Sequence, residues 1–200
     1  MPSVEAVILA SGFSRRLGVD KVSQDICGKS VLSRVVETAL GAGLEKVVVV
    51  LRERGQSRMV PNDARISILY NENAESGMSS AIKLAILRSE PQFDSFLFLN
   101  GDMPFFSADS LARLIGLWKR DPEKIACIRH GDVLRGPVIF PRKYTNMLLS
   151  LEGEKGGREL LINNSSHVVF IEIANQDELV DIDTQEDLER ARKICRSLRS

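Results

Sequence analysis

A basic loop with small residues follows the first apolar run of the chain and carries the residue types that bind phosphate. It contains Ser11, Gly12, Arg16 and Lys21. Small residues let a backbone approach a flat base or ribose closely, and cations with backbone N–H groups can bind a polyphosphate. A solvated loop with incidental charge has the same composition, so this loop by itself leaves both interpretations open.

Two standard phosphate-binding motifs are excluded. Gly28-Lys29-Ser30 resembles the end of a P-loop, but Ser23 occupies the position where that motif requires its first glycine. No G-x-G-x-x-G follows the first strand candidate, so a Rossmann dinucleotide site has no support. We therefore interpret residues 28–30 as a turn that leads into a capped helix.

Two aspartates are candidates for binding a metal ion. Asp102 lies in Gly101-Asp102-Met103-Pro104, directly after an apolar run, and Asp183 precedes the last predicted helix. Mg²⁺ is usually held by one or two carboxylates together with substrate oxygens, so either residue could ligate a Mg²⁺ that bridges nucleotide phosphates. A turn aspartate and a helix cap are the structural alternatives.

Short β-branched runs alternate with segments of helical periodicity, which is typical of βαβ units and a largely parallel sheet. Strands are predicted at residues 6–10, 46–51, 66–70, 96–99, 125–128, 138–140 and 168–173. Helices are predicted after Ser30 and at residues 79–88, 108–119 and 184–198. Residues 52–64 and 129–137 are predicted loops. We expect one α/β domain over residues 1–200.

Composition excludes several classes of protein. The 27 basic and 27 acidic residues give a formal net charge of zero, which disfavours nucleic acids and anionic membranes as partners. Cys27, Cys127 and Cys195 form no C-x-x-C pair and are predicted to be separate small core residues in a reducing compartment. With no signal-like or membrane-spanning segment, we expect a cytoplasmic protein, as a monomer or weak dimer.

The ordered set of motifs resembles the molybdenum cofactor nucleotidyltransferases, whose first signature reads L-A-(A/G)-G-x-S-x-R-(M)-G-x-x-K. The residues that match this signature are Leu9, Ala10, Gly12, Ser14, Arg16, Gly18 and Lys21. Later matches are Asn71, residues 77–80, 101–104 and 136–140, Leu151, Gly153, Gly156, Arg158, and residues 181–184 and 186–188. They are most similar to the cytidylyltransferase branch, and the guanylyltransferase branch is the nearest competitor.

The sequence departs from the family pattern at a few positions. Ser11 stands where the cytidylyl branch usually has Ala and the guanylyl branch Gly, so base preference stays open. The smaller departures are Leu17 for Met, Glu154 for Asp, Gly157 for Ala and Gln185 for Pro.

The resemblance implies a three-layer α/β/α domain with a mostly parallel sheet, of the Rossmann-like kind found in nucleotide-diphospho-sugar transferases. It implies Mg²⁺-dependent transfer of CMP from CTP to molybdopterin, with release of pyrophosphate. By family position the catalytic residues are Arg16, Lys21 and Asp102, and the metal ligands are Asp102 and Asp183. The nucleotide-binding residues are Leu9, Ala10, Ser11, Gly12, Ser14, Arg16, Lys21, Asn71, Gly77 and Ser80. The pterin-side residues are Gly136, Pro137, Gly153 and Arg158.

Three alternatives remain open on the sequence alone. GTP could replace CTP as the donor. Another phosphate could replace molybdopterin as the acceptor, although the motifs from Gly136 to Arg158 argue against this. The third alternative is a non-catalytic factor that binds the cofactor and delivers it to a molybdenum hydroxylase; intact Arg16, Lys21 and Asp102 count against that role.

Overall fold

The computed structural model describes residues 2–198 and centres on a seven-stranded sheet of order β5-β4-β1-β6-β8-β7-β9. The strands are β1 (Val4–Ala10), β2 (Asp25–Ile26), β3 (Lys29–Ser30), β4 (Val47–Leu51), β5 (Ile66–Tyr70), β6 (Ser95–Asn100), β7 (Ile125–His130), β8 (Val133–Pro141) and β9 (Val168–Glu172). The helices are α1 (Val31–Gly41), α2 (Met78–Arg88), α3 (Ala108–Trp118), α4 (Thr145–Leu149), α5 (Arg158–Asn163) and α6 (Gln185–Ser197). Strands β2 and β3 form a separate hairpin.

The sheet is mostly parallel, as predicted. β1 pairs in parallel with β4 and β6, β4 with β5, and β7 with β9, whereas β8 is antiparallel to both of its neighbours. β4 is a run of buried valines and a leucine, which is typical of a central strand covered on both faces. β1 therefore lies between β4 and β6, with the loop after it opening at the middle of the sheet.

Helices cover both faces of the sheet and give the expected three layers. Leu32 of α1 and Trp118 of α3 belong to the hydrophobic core on one face. Ile82 of α2, Leu148 of α4 and Leu160 of α5 belong to the core on the other face. Since both faces of the strands are covered, the side chains with free polar groups are concentrated at the strand ends.

The last helix packs against the β2–β3 hairpin and begins at a well-formed cap. Thr184 accepts a hydrogen bond from the backbone of Asp187, and the Asp187 carboxylate accepts one from the backbone of Thr184. This reciprocal pair fixes the start of α6. It thereby fixes the path of residues 181–183, which lead into the helix.

The prediction of a loop at residues 129–137 is wrong. β7 continues through His130, a turn follows at Gly131, and β8 begins at Val133 as its antiparallel partner. Gly131 has a φ of +57°, which suits a tight turn, and the glycines of this segment give it the composition of a loop. Helices α4 and α5 lie outside the predicted helices, because each is too short to show helical periodicity.

The prediction for the cysteines is wrong at two positions. Cys27 and Cys195 are paired as a disulfide that joins the β2–β3 hairpin to α6. Cys127 is buried and free, as expected. Over residues 2–198, no helix combines the length and the hydropathy needed to cross a membrane.

Candidate functional site

A cavity of about 460 Å³ lies at the carboxyl ends of β1 and β6. It is walled by the loop after β1, the start of α2 and the aspartates that follow β6 and precede α6. Gly101 allows the two strand ends to approach, because a Cβ atom at this position would lie 2.8 Å from the Ala10 Cβ. The predicted nucleotide-binding residues that line this cavity are Leu9, Ala10, Ser11, Gly12, Ser14, Arg16, Lys21 and Gly77.

A cluster of opposite charges lies at one end of this cavity. The Lys21 ammonium is 2.5 Å from Oδ2 of Asp102 and 3.0 Å from Oδ1 of Asp183. Arg16 approaches the other oxygen of Asp183 at 2.6 Å. Lys21 and Asp183, which are 162 positions apart in the sequence, therefore meet at one point, and all four candidate catalytic and metal-binding side chains belong to this cluster.

Lys21 and Asp102 are largely shielded from water, at 17% and 14% exposure, and this shifts their pKa values. Burial raises the pKa of Asp102, and the nearby positive charge of Lys21 opposes this shift. Burial alone would lower the pKa of Lys21, but the charges and hydrogen bonds of Asp102 and Asp183 outweigh it and raise that pKa. Lys21 therefore stays protonated at neutral pH, as a group that binds polyphosphate must.

The donor set fits a divalent cation that is shared with substrate. The Oδ1 atom of Asp102 is buried and has no hydrogen-bond partner among the described residues, so one carboxylate oxygen is available. Within residues 2–198, no group of three or more His, Cys, Asp or Glu side chains is arranged to hold a metal by itself. Asp102 and Asp183 would therefore share the ion with phosphate oxygens, as is usual for Mg²⁺.

The position of Lys21 depends on a buried glutamine that sequence reasoning missed. Gln56 is 2% exposed and donates a hydrogen bond to Asp20, the residue before Lys21. Its side-chain oxygen accepts from the backbone of Arg52, and the Arg52 guanidinium donates to the Gly12 carbonyl at 2.8 Å. The loop after β4 therefore holds both ends of the loop after β1. The only sequence signal is a polar segment following a strand.

Two predicted nucleotide-binding residues lie behind the cavity wall. Asn71 is 3% exposed and donates hydrogen bonds to the hydroxyl oxygens of Ser11 and Ser80. The Ser80 hydroxyl in turn donates to the carbonyl of Gly77. Neither Asn71 nor Ser80 lines the cavity, and both support the residues that do.

A second cavity of about 480 Å³ adjoins the first and is largely apolar. Phe98 and Phe140 contribute to its wall, and two arginines and Glu154 also line it. Of the predicted pterin-side residues, Gly136 and Arg158 line this cavity, whereas Pro137 and Gly153 do not. Sequence reasoning missed Arg135 and Phe98, because nothing in their local pattern distinguishes them from core or surface positions. Phe140 lies in the matched segment 136–140, but the sequence assigns it no role in the site.

The two cavities share a wall. The residues that line both are Leu9, Met78, Asn100 and Glu154. The Glu154 carboxylate accepts a hydrogen bond from the backbone N–H of Met78, at the start of α2. The segment around residue 154 is thus attached to α2 at the boundary between the cavities.

Gly77 allows this attachment. It has a φ of +85° and a ψ of −172°, a conformation that is essentially restricted to glycine, and a Cβ atom there would lie 2.5 Å from the Gly153 carbonyl oxygen. We expect Gly77→Ala to lower the free energy of unfolding by about 3 kcal/mol, because backbone strain and a backbone clash add. Chemical denaturation measures this effect.

Gly43→Ala is the matched control. Gly43 has a φ of +79°, but a Cβ atom added there would meet nothing within 4 Å, so only the backbone penalty of about 1 kcal/mol applies. Equal losses of stability in the two variants would contradict the role assigned to the contact between Gly77 and Gly153.

Comparison with known proteins agrees with this architecture. A family model described as the MobA-like NTP transferase domain matches residues 6–168. Purine catabolism protein PucB of Bacillus subtilis is 28% identical over 202 residues, with 96% of this chain and 97% of PucB covered. The molybdenum cofactor cytidylyltransferase of Escherichia coli is 22% identical over 195 residues, with 96% and 97% covered.

A solved structure shares the fold. Molybdopterin-guanine dinucleotide biosynthesis protein A from Archaeoglobus fulgidus superposes with a TM-score of 0.71 at 20% identity, covering 97% of this chain and 99% of that one. A bifunctional GlmU protein of Thermosipho melanesiensis is 35% identical over 115 residues, but the match spans only 24% of its length.

Proposed function

Since the chain belongs to the MobA-like NTP transferase domain family, we propose that it is a molybdenum cofactor cytidylyltransferase, which transfers CMP from CTP to molybdopterin. The observation that carries the proposal is the cluster of Lys21, Asp102 and Asp183. This cluster lies in a cavity that shares a wall with a second, apolar cavity containing arginines. One cavity suits a triphosphate, and the other suits an anionic acceptor with a flat apolar body.

The proposed reaction is an in-line displacement at the α-phosphorus of CTP. A phosphate oxygen of molybdopterin forms the new P–O bond, and the bond between the α-phosphorus and the bridging oxygen to the β-phosphate breaks. Pyrophosphate leaves with that electron pair. Bringing a phosphate to a triphosphate concentrates negative charge, so catalysis consists mainly of positioning and charge neutralisation.

The residues of the cluster contribute to positioning and charge neutralisation in different ways. Lys21 and Arg16 neutralise the triphosphate and the leaving pyrophosphate. Asp102 and Asp183 would hold Mg²⁺, which supplies positive charge to the phosphate oxygens. On substrate binding, Lys21 exchanges part of its contact with the two carboxylates for contact with phosphate oxygens. Gln56 and Arg52 keep the loop that carries Lys21 and Arg16 in one conformation, which reduces the entropic cost of assembling the site.

The choice of CTP over GTP follows the resemblance of the later motifs to the cytidylyltransferase branch. The E. coli cytidylyltransferase is similar to this chain over 97% of its own length. Ser11, the position that varies between the cytidylyl and guanylyl branches, is 7% exposed and its hydroxyl accepts a hydrogen bond from Asn71. The Asn71 contact fixes the Ser11 hydroxyl in the cavity wall, and Ser11 by itself does not select between the two bases.

The test is pyrophosphate release by purified protein with Mg²⁺ and molybdenum-loaded molybdopterin, comparing CTP, GTP, ATP and UTP, with Lys21→Ala as the inactive reference. We expect release with CTP and little with the other nucleotides. Preference for GTP would reassign the protein to the guanylyl branch. No release from folded protein that still binds nucleotide would favour another acceptor or a carrier that delivers the cofactor to a molybdenum hydroxylase.

A further inference from the structure

The boundary between the two cavities poses an electrostatic problem. Glu154 lines both cavities, and Asp181 lines the one that contains Asp102. Asp181 lies near enough to Asp102 for its negative charge to contribute to raising the Asp102 pKa. An acceptor phosphate must cross this acidic boundary to reach a bound nucleotide. Because these carboxylates and a phosphate carry like charges, a cation on the acceptor side would favour the approach of the phosphate.

Arg135 is a cation of the second cavity that lies beside Asp181 of the first. It lies on β8, directly before Gly136, and its side chain is one-third exposed and lines the acceptor cavity. Its Nη2 atom is 3.9 Å from a carboxylate oxygen of Asp181 and donates to the Leu179 carbonyl at 3.4 Å. The guanidinium therefore lies between the apolar cavity and an aspartate of the nucleotide cavity.

The contacts of Arg135 leave it able to bind a ligand. Both described contacts are long and both use Nη2, whereas a guanidinium has five N–H donors. The other arginines are less suited to this role, because Arg16 is bound to Asp183 at 2.6 Å and Arg158 is exposed at the first residue of α5. Arg135 is thus partly buried, lies beside Asp181 and has N–H donors available for a ligand.

We propose that Arg135 binds the attacking phosphate of the acceptor. A planar guanidinium matches two phosphate oxygens and leaves a third to attack. The acceptor class is then a phosphate monoester whose flat, apolar body fills the space beside Phe98 and Phe140. This inference rests on the proposed function in one respect, which is that the acceptor is a phosphate.

The test is a binding cycle without nucleotide. The affinities of wild type and Arg135→Gln are measured by equilibrium titration, each with molybdopterin and with dephosphorylated molybdopterin. We expect Arg135→Gln to weaken molybdopterin binding about 30-fold, because a charge-assisted pair with phosphate is lost. Binding of the dephosphorylated form should change less than about twofold. Arg135→Lys keeps the charge but not the planar fork, so its affinity for molybdopterin should lie between the affinities of wild type and Arg135→Gln.

Arg129→Gln is the matched control, because Arg129 lies on the adjacent strand β7, pairs with Glu172, and lines neither cavity. If Arg135→Gln weakens both acceptor forms equally, or neither, the assignment of Arg135 is overturned and the proposed function is unaffected. Phosphate-dependent binding through Arg135 with no CMP transfer would uphold the inference and overturn the proposed function. Failure of the wild type to bind either form would overturn both.

Discussion

Replacing Lys21 with alanine is expected to lower pyrophosphate release with CTP about a thousandfold. The Lys21 ammonium contacts both Asp102 and Asp183 and is only 17% exposed, so its removal eliminates the most buried cation of the cluster. Steady-state kinetics with saturating CTP measures the loss. Retention of more than about a tenth of wild-type turnover would exclude Lys21 from the catalytic role.

The same variant is expected to become more dependent on divalent cations for stability. Without Lys21, two carboxylates face each other with only Arg16 nearby, and this arrangement is destabilising because removal of one partner leaves buried charge uncompensated. A cation that binds the folded state should compensate. The Mg²⁺-induced rise in melting temperature should therefore be larger in Lys21→Ala than in wild type.

Lys29→Ala is the control for both measurements. Lys29 pairs with Glu37 on the surface and is 52% exposed, so its loss should alter stability by no more than about 1 kcal/mol and leave turnover unchanged. If Mg²⁺ raises the melting temperature equally in wild type, Lys21→Ala and Lys29→Ala, the cation does not bind between Asp102 and Asp183.

Replacing Asp102 with asparagine is expected to abolish Mg²⁺-dependent transfer, with a loss of at least about a thousandfold, while folding is preserved. The amide has nearly the same shape but supplies a weaker metal ligand and no negative charge. Since the Lys21 ammonium keeps its contact with Asp183, the variant should remain folded although one partner of a buried pair is lost. Turnover should therefore be lost in a protein that still shows a cooperative melting transition.

Metal binding gives a second readout for this variant. Mn²⁺ titrated in the presence of CTP should bind wild type and fail to bind Asp102→Asn at the same concentration. Asp109→Asn is a suitable control, because Asp109 lies in the first turn of α3, away from both cavities. Unchanged Mn²⁺ affinity in Asp102→Asn would remove Asp102 from the metal site.

The central strands could be predicted from the sequence because their signal is local. The valine run of β4 and the apolar run of β6 are unbroken. The predicted bounds of these two strands differ from the observed ones by no more than one residue at each end. The strand β8 could not be recovered in full. Its first half contains Arg135, Gly136 and Pro137, which are typical of a loop, and only pairing with β7 across a tight turn makes this segment a strand.

Some residues of the candidate site could likewise be predicted from local sequence, whereas others depend on the fold. Arg16, Lys21, Asp102 and Asp183 fall within motifs that follow a strand or precede a helix, so the sequence predicts that they lie together. The contribution of Gln56 depends on a contact across 36 residues. Arg135 becomes notable only when β8 brings it to the boundary of two cavities, and the pairing of Cys27 with Cys195 depends on how α6 packs against the hairpin.

The shared wall of the two cavities has a consequence for the end of the reaction cycle. The product of the proposed reaction would join a nucleotide to the acceptor in one molecule. It would then occupy both cavities and contact the residues that line both of them, Leu9, Met78, Asn100 and Glu154. It keeps many contacts of both substrates but loses the translational entropy of only one molecule on binding. Product dissociation should therefore be slow and limit turnover, which would favour direct transfer of the finished cofactor to a protein that accepts it.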